Sequence, residues 1–243
     1  MPAVRAVGLV QSFGARTIYR DVSFIVARGE IFTVLGGSGC GKSTLLRQCI
    51  GLLPPKSGRV EIFGDDVYRS GDRMRRKFGV MFQSGALFGS LSLLANVMLP
   101  LQMYTDLPAD GRELVARVKL GLVGLADAVD LLPAEISGGM AKRAAIARAL
   151  ALDPPLLFLD EPSAGLDPVT SAGLDRLILD LRQDLGTTFM VVTHELASIL
   201  AIADRCIMLD REAQGIVAEG DPKILRQDSA NPVVHAFFHR EAA

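Results

Sequence analysis

One octapeptide limits this chain more than any other feature. Gly36-Gly37-Ser38-Gly39-Cys40-Gly41-Lys42-Ser43 satisfies the spacing G-x-x-x-x-G-K-[ST]. It follows a β-branched run, Ile31 to Leu35, and opens a helix-like stretch, Lys42 to Ile50, that stops at Gly51 and the Pro54-Pro55 pair. In a strand–loop–helix unit of this kind, glycines let backbone N–H groups curl around anionic oxygens, and the helix N-terminus adds positive potential. Lys42 then reaches the β- and γ-phosphates, and the Ser43 hydroxyl can ligate Mg²⁺. Chance produces such a string in on the order of one in a hundred chains of this length.

The rest of the chain suits that context. At 243 residues it matches one domain with a sizeable core. Runs at Val4 to Gln11 and Val22 to Val26, separated by Phe13-Gly14-Ala15-Arg16, predict an antiparallel pair, with further strands at Arg59 to Phe63 and Phe78 to Phe82. From Leu91 to Leu132 the apolar residues recur at helical spacing, with turns expected at Pro100, Pro108 and Gly124, which predicts an all-helical insertion. Strand and helix then alternate: helix Gly139 to Leu152, strand Leu156 to Leu159, helix Val169 to Leu185, strand Thr188 to Val192, helix Glu195 to Ile202 and strand Arg205 to Leu209. Alternation of this kind predicts a mostly parallel sheet covered by helices. Asp167-Pro168, Asp221-Pro222 and Asn231-Pro232 each set a capping side chain before a proline at the first helical position.

Composition excludes other classes. Hydrophobic residues make up 49% and charged residues 22%, which rules out a disordered chain. The net charge of −1 argues against a nucleic-acid binder held by phosphate contacts, so no nucleic-acid partner is expected. No apolar run approaches the roughly 18 to 20 residues of a membrane span, and the N-terminus lacks a secretory pattern, so a cytoplasmic protein is expected. Cys40, Cys49 and Cys206 show no C-x-x-C spacing and are expected to be reduced thiols.

Two further elements carry chemistry. Leu156 to Leu159 ends in Asp160-Glu161, and ligands of a parallel sheet gather at the carboxyl ends of strands. Beside a phosphate loop, Asp160 can serve Mg²⁺ while Glu161 polarises a water at the γ-phosphate. Ile136-Ser137-Gly138-Gly139-Met140 precedes an Ala-rich helix and forms a second anion-binding nest. One nucleotide cannot easily use two such nests in one chain.

The order phosphate loop, Gln83, Ser137-Gly138-Gly139, Asp160-Glu161, Asp167, His194 resembles the ATP-binding cassette (ABC) ATPases over nearly the whole chain. The resemblance implies an α/β P-loop NTPase of the ABC ATPase type. Its mostly parallel core sheet carries an N-terminal antiparallel β subdomain and an inserted α-helical subdomain, residues 84–138 of a single domain 1–243. It implies ATP and Mg²⁺ as ligands, and two subunits paired head to tail so that each Ser-Gly-Gly nest caps ATP on the partner's phosphate loop. Carried over position by position, Phe13 stacks on adenine, Thr44 joins the phosphate-binding residues, and Gln83 touches Mg²⁺ or the attacking water. His194 contacts the γ-phosphate and helps hold Glu161, and Asp167 belongs to the loop that crosses the dimer interface.

The sequence departs from the family at two positions. Met140 replaces the usual glutamine after Ser-Gly-Gly and cannot donate an amide hydrogen bond, and Phe13 replaces a tyrosine. Phe82 to Phe88, Ser137-Gly138-Gly139-Met140 followed by Ala141-Lys142-Arg143-Ala144-Ala145, and Asn231 to Phe238 are similar to the Mla and Mce lipid-transport ATPases. That narrower likeness implies a peripheral subunit on the cytoplasmic side of the inner membrane, bound to an integral permease and working with a lipid-binding envelope protein. The surface that meets the permease is expected at Ser84 to Phe88 and Leu91 to Leu101. Importers of other small solutes share every catalytic residue, and a single-cassette soluble ATPase of cofactor assembly remains the alternative from another class. Arg73, Arg75, Arg76 and Lys77 read as a solvated face, and His235 and His239 as surface residues of a helix.

Overall fold

The computed structural model describes residues 1–241. Its elements, in chain order, are β1 (Val4–Phe13), β2 (Arg16–Val26), β3 (Ile31–Leu35), α1 (Lys42–Cys49), β4 (Ser57–Ile62), β5 (Asp65–Asp66), β6 (Gly79–Met81), α2 (Leu93–Tyr104) and α3 (Ala109–Leu122). They continue with α4 (Gly138–Ala149), β7 (Leu156–Asp160), α5 (Pro168–Leu185), β8 (Thr188–Val192), α6 (Leu196–Ile202), β9 (Arg205–Asp210), β10 (Gly215–Gly220), α7 (Pro222–Asp228) and α8 (Pro232–His239).

Two sheets form. The six-stranded sheet has the order β10-β9-β3-β8-β7-β6, with β9 through β6 mutually parallel and β10 antiparallel at the edge. Every residue of β3 and β8 is buried, as expected of strands covered by helices or a second layer on both faces. The four-stranded sheet, β2-β1-β4-β5, is antiparallel, and its β1–β2 hairpin turns through Gly14 and Ala15, with Phe13 opposite Arg16.

Apolar side chains divide into layers on either side of the large sheet. One core joins Leu157, Leu159, Phe189 and Val191 to α2, α3, α4 and α5 through residues such as Val97, Leu120, Ile146 and Ile178. The alternate strand residues, Phe158, Met190 and Val192, pack with Leu45 of α1 and with Val4 and Val60 of the antiparallel sheet. This is the period-2 alternation of a strand, read in three dimensions.

The capping device is visible at all three starts. Asp167 accepts from the Val169 and Thr170 amides, Asp221 from that of Lys223, and Asn231 from those of Val233 and Val234. One expectation needs correction. Pro100 lies inside α2 rather than at a turn. Its ring removes one helical donor, but buried Val97 and Leu101 hold the helix against α3 and α4 for another turn, and the Thr105 amide closes on the Leu101 carbonyl. The edge strand β10 and the short β5 were not anticipated.

Candidate active site

The phosphate loop leaves β3 at Leu35 with two glycines in the left-handed half of backbone space that no other residue could replace. Gly36 has φ +139, and a Cβ there would lie 2.2 Å from the Leu209 carbonyl oxygen. Gly41 has φ +108, and its Cβ would lie 2.6 Å from Ile18 Cγ2 and 3.0 Å from the Tyr19 ring. The Lys42 ammonium donates to the carbonyls of Gly36 at 2.7 Å and Gly37 at 3.1 Å, so its charge is held over the loop. Beneath the loop, Tyr19 Oη donates to Gln48 Oε1 at 2.6 Å and Gln48 Nε2 donates to Gln11 Oε1 at 2.9 Å, a buried chain that fixes α1 to the antiparallel sheet.

Four neighbouring strands of the parallel sheet end on this side. β3 delivers Gly36, β6 delivers Gln83, β7 ends at Asp160, and β8 delivers His194 two residues past Val192. The ladders keep those ends level: Met81 lies opposite Leu159, and Asp160 opposite Val192. The result is a cleft of about 930 Å³ lined by Gly36, Gly37, Ser38, Gly39, Lys42, Ser43, Gln83, Glu161 and His194. A cleft outside the carboxyl ends of a parallel sheet is where ligands of this architecture bind.

Glu161 is fixed from several directions. Its φ of +47 is unusual for a side-chain-bearing residue, and Pro162 follows it directly. Its amide donates to the Val192 carbonyl at 2.8 Å, and its own carbonyl accepts from the Ala164 amide at 3.2 Å and from Lys142 Nζ at 3.3 Å. The carboxylate meets His194 twice, Oε1 with Nδ1 at 2.8 Å and Oε2 with the backbone amide at 3.4 Å. With the carboxylate ionised, Nδ1 is the donor.

Asp160 fits a cation. Burial and the neighbouring Glu161 charge push its carboxyl up, while Arg47, Lys42 and Lys142 pull it back. Its Oδ1 is buried and meets no hydrogen-bond partner among the described residues. An anionic oxygen left in that state suits a hard cation such as Mg²⁺; the candidate neutral oxygen donors, the Ser43 hydroxyl and Gln83, both line the cleft, whereas Asp160 itself sits at the strand end just before Glu161.

The remaining candidates stand apart from this cleft. Ser137 caps α4 by accepting from the Met140 amide at 3.3 Å. Gly139 abuts α5, where a Cβ would approach Thr170 Cγ2 to 2.5 Å, and Gly138 faces Leu166. The signature turn and the Asp167 loop are therefore neighbours, and among the described residues neither Ser137, Gly138, Gly139 nor Asp167 lines the phosphate-loop cleft. Asp167 is exposed, and the Thr170 hydroxyl and the amides it caps hold its carboxyl below the usual range. Phe13 is 51% exposed at the end of β1. Near its hairpin, Arg16, Gly39, Arg211 and Gln214 line a smaller recess of about 250 Å³.

Three features were not found from sequence. The end of α8 borders the cleft through Ala236 and Phe237, with Arg240 and Glu241 just beyond, although His235 and His239 are exposed, their rings stacked at 4.0 Å. Lys142, inside α4, is 8% exposed. An apolar groove of about 460 Å³ runs between the end of α1 and α2, lined by Ile50, Leu52, Val67, Tyr68, Met74, Phe78, Val80, Phe82 and Tyr104. Of the basic cluster on its border, Lys77 pairs with Asp65 and Arg75 donates to Tyr104 Oη at 3.2 Å. Among the described residues no helix is long and apolar enough to cross a membrane.

Known proteins resemble this chain in sequence and shape. Residues 19–164 match the family described as ABC transporter. The intermembrane phospholipid transport system ATP-binding protein MlaF of Escherichia coli (strain K12) is 41% identical over 230 residues, covering 93% of this chain and 84% of that protein. The probable ribonucleotide transport ATP-binding protein mkl of Mycobacterium tuberculosis (strain ATCC 25618 / H37Rv) is 41% identical over 236 residues, 96% of this chain, which spans 65% of the length of mkl. Among solved structures, the dimeric post-hydrolysis state of the ATP-binding cassette MJ0796 bound to ADP and Pi superimposes with a TM-score of 0.79 at 30% identity, covering 90% of this chain and 98% of that one.

Proposed function

The chain belongs to the ABC transporter family, and from that premise we propose that it is the ATP-hydrolysing subunit of a lipid transporter, working as a head-to-tail pair on a membrane permease. The observation that carries the reading is the cleft at four aligned strand ends, where Glu161, held by His194 at 2.8 Å, faces the phosphate loop.

In this reading the loop amides and Lys42 take the ATP phosphates, and Phe13 takes the adenine beside the recess of Arg16 and Arg211. Ser43, Asp160 and Gln83 would hold Mg²⁺, which neutralises phosphate charge when bound. Glu161 accepts a proton from water as the water oxygen bonds to the γ-phosphorus. The bond to the β-phosphate oxygen breaks, leaving ADP and phosphate. His194 keeps the carboxylate aimed and, lining the same cleft, would contact the γ-phosphate. The Ser137 nest, remote from its own cleft, serves the ATP of a second copy, with Asp167 beside it at the same interface. Only the closed pair offers both nests to the phosphates, so ATP binding favours closure and hydrolysis reopens it.

The apolar groove beside α1 supports permease docking. It shifts the expected surface: Phe82 and Tyr104 border it, but most of its lining comes from Ile50 to Leu52 and Val67 to Val80 rather than from Ser84 to Phe88. The cargo rests on likeness alone, since MlaF carries a phospholipid name and mkl a ribonucleotide name at the same identity. The three segments similar to the Mla and Mce proteins favour lipid, with a lipid-binding envelope protein as further partner and the cytoplasmic face of the inner membrane as location.

Purification in mild detergent from native membranes, with mass spectrometry of co-purifying proteins and lipids, tests this. A permease with bound phospholipid is expected. A permease with a nucleotide or other solute receptor replaces the cargo, and recovery without any membrane protein removes the transport reading. ATP hydrolysis by the purified chain tests the enzymatic part separately.

A further inference from the structure

Helix α4 begins at the Ser137 nest and reaches, five residues on, into the interior. The Lys142 ammonium donates to the Gln83 carbonyl and, at 3.3 Å, to the Glu161 carbonyl. Further along α4, Arg148 donates to the Ala86 carbonyl at 2.6 Å and the Gly85 carbonyl at 2.9 Å. The loop after β6 is thus held at three backbone oxygens by cations of one helix, whereas its own strand ends its ladder at Met81. A lysine only 8% exposed is costly unless its donors are satisfied. Here they are spent on the peptide groups of two residues that line the phosphate-loop cleft.

We propose that Lys142 is a positioning residue: it ties the signature helix, within one chain, to the backbones of Gln83 and Glu161. A tilt of α4 when its N-terminus docks on a second copy is then felt at both groups in the cleft of the same chain. Interfaces built on discrete hydrogen bonds transmit such shifts because packed elements move as units. The inference rests on the ATPase reading and adds a residue to it.

The test uses the full chain with Lys142→Met, which keeps the stem and removes the donors, and Lys142→Gln, which keeps N–H donors. ATP affinity, kcat and KM are measured for each, and both are combined with Gln83→Ala. Misplacement of reacting groups by about 1 Å is worth roughly 100-fold in rate. Lys142→Met is expected to lower kcat by about 10- to 100-fold while ATP affinity stays within about twofold, with Lys142→Gln recovering part of the rate. Combination with Gln83→Ala is expected to be less than multiplicative, because Lys142 acts through Gln83. Unchanged kcat in a folded Lys142→Met, or losses that multiply, overturns the inference. If Lys142→Met does not fold, Lys142→Gln in the same cycle decides, by the same criterion of multiplication. A wild-type chain without ATPase activity overturns the ATPase reading and this inference together, whereas an active wild type beside an unaffected Lys142→Met overturns this inference alone.

Discussion

At Gly36 to Ser43 glycine supplies backbone angles as well as space, and at Ser137 to Gly139 it supplies space alone. The phosphate loop holds Gly36, Gly39 and Gly41 at positive φ, with Gly36 pressed against Leu209, Gly41 against Ile18 and Tyr19, and Lys42 tied back onto its carbonyls. The signature turn has no positive φ at either glycine; it is a helix start capped by Ser137, and Gly139 is required because Thr170 lies where a Cβ would go. The first nest is finished by its own chain. The second is an exposed helix N-terminus beside an exposed loop, which in the proposed pairing meets a second copy. Similar composition therefore does not imply similar use, and what distinguishes the two is which neighbours crowd the missing side chain.

That contrast can be broken experimentally, the largest effect first. Glu161→Gln removes the base at the finished site, and turnover is expected to fall by roughly 100- to 10,000-fold. ATP should then trap a dimer visible by light scattering, so a variant that stays monomeric with ATP ends the two-nest account. Lys42→Ala removes a charged donor to phosphate worth about 1.5 to 3 kcal/mol, which predicts ATP binding weaker by about 10- to 150-fold in the isolated monomer. Titration with labelled nucleotide measures this, and unchanged affinity discards the assignment. Ser137→Ala removes the cap and the nest hydroxyl together. Hydrolysis is expected to drop several-fold and stability by about 1 kcal/mol, while monomer affinity for ATP holds; a loss of monomer affinity would mean that the nest serves its own cleft. Gly138→Ala sharpens the comparison most finely, because its Cβ meets Leu166 Cδ2 at an ordinary 3.7 Å. Thermal unfolding should stay within about 1 kcal/mol of wild type, yet ATP-driven dimerisation should weaken, separating a role in folding from a role across an interface.

Much of this was legible in the residues because local physics decides it. The runs Ile31–Leu35 and Thr188–Val192, apolar but for Thr33 and Thr188, coincide with β3 and β8, since strands buried on both faces favour β-branched and apolar residues throughout. The Asp-Pro and Asn-Pro starts needed only side-chain capping and the fixed φ of proline. What escaped depends on partners distant in sequence. β10 is a half-exposed edge strand whose residues show no alternation, held by its pairing with β9. Pro100 reads as a break until the packing of α2 on α3 and α4 outweighs one lost donor. Lys142 looks like any lysine of an Ala-rich helix, and only the fold brings it to a carbonyl 59 residues earlier. The site followed the same rule: Gly36, Gln83, Glu161 and His194 could be nominated by motif and order, but Arg16, Arg211 and the end of α8 carried no signal of their own.

The strand order has a consequence for the chain during its synthesis. The phosphate loop emerges early, yet both strands that flank β3, namely β8 and β9, come from Thr188–Val192 and Arg205–Asp210. Contacts of such long sequence separation form late and slowly. Until residue 194 has been made Glu161 has neither the Val192 carbonyl nor His194, and until residue 209 has been made Gly36 has no Leu209 carbonyl to rest against. A nascent chain therefore carries the nucleotide motif long before it can grip a nucleotide, and ATP can act as a folding ligand only once Leu209 is in place.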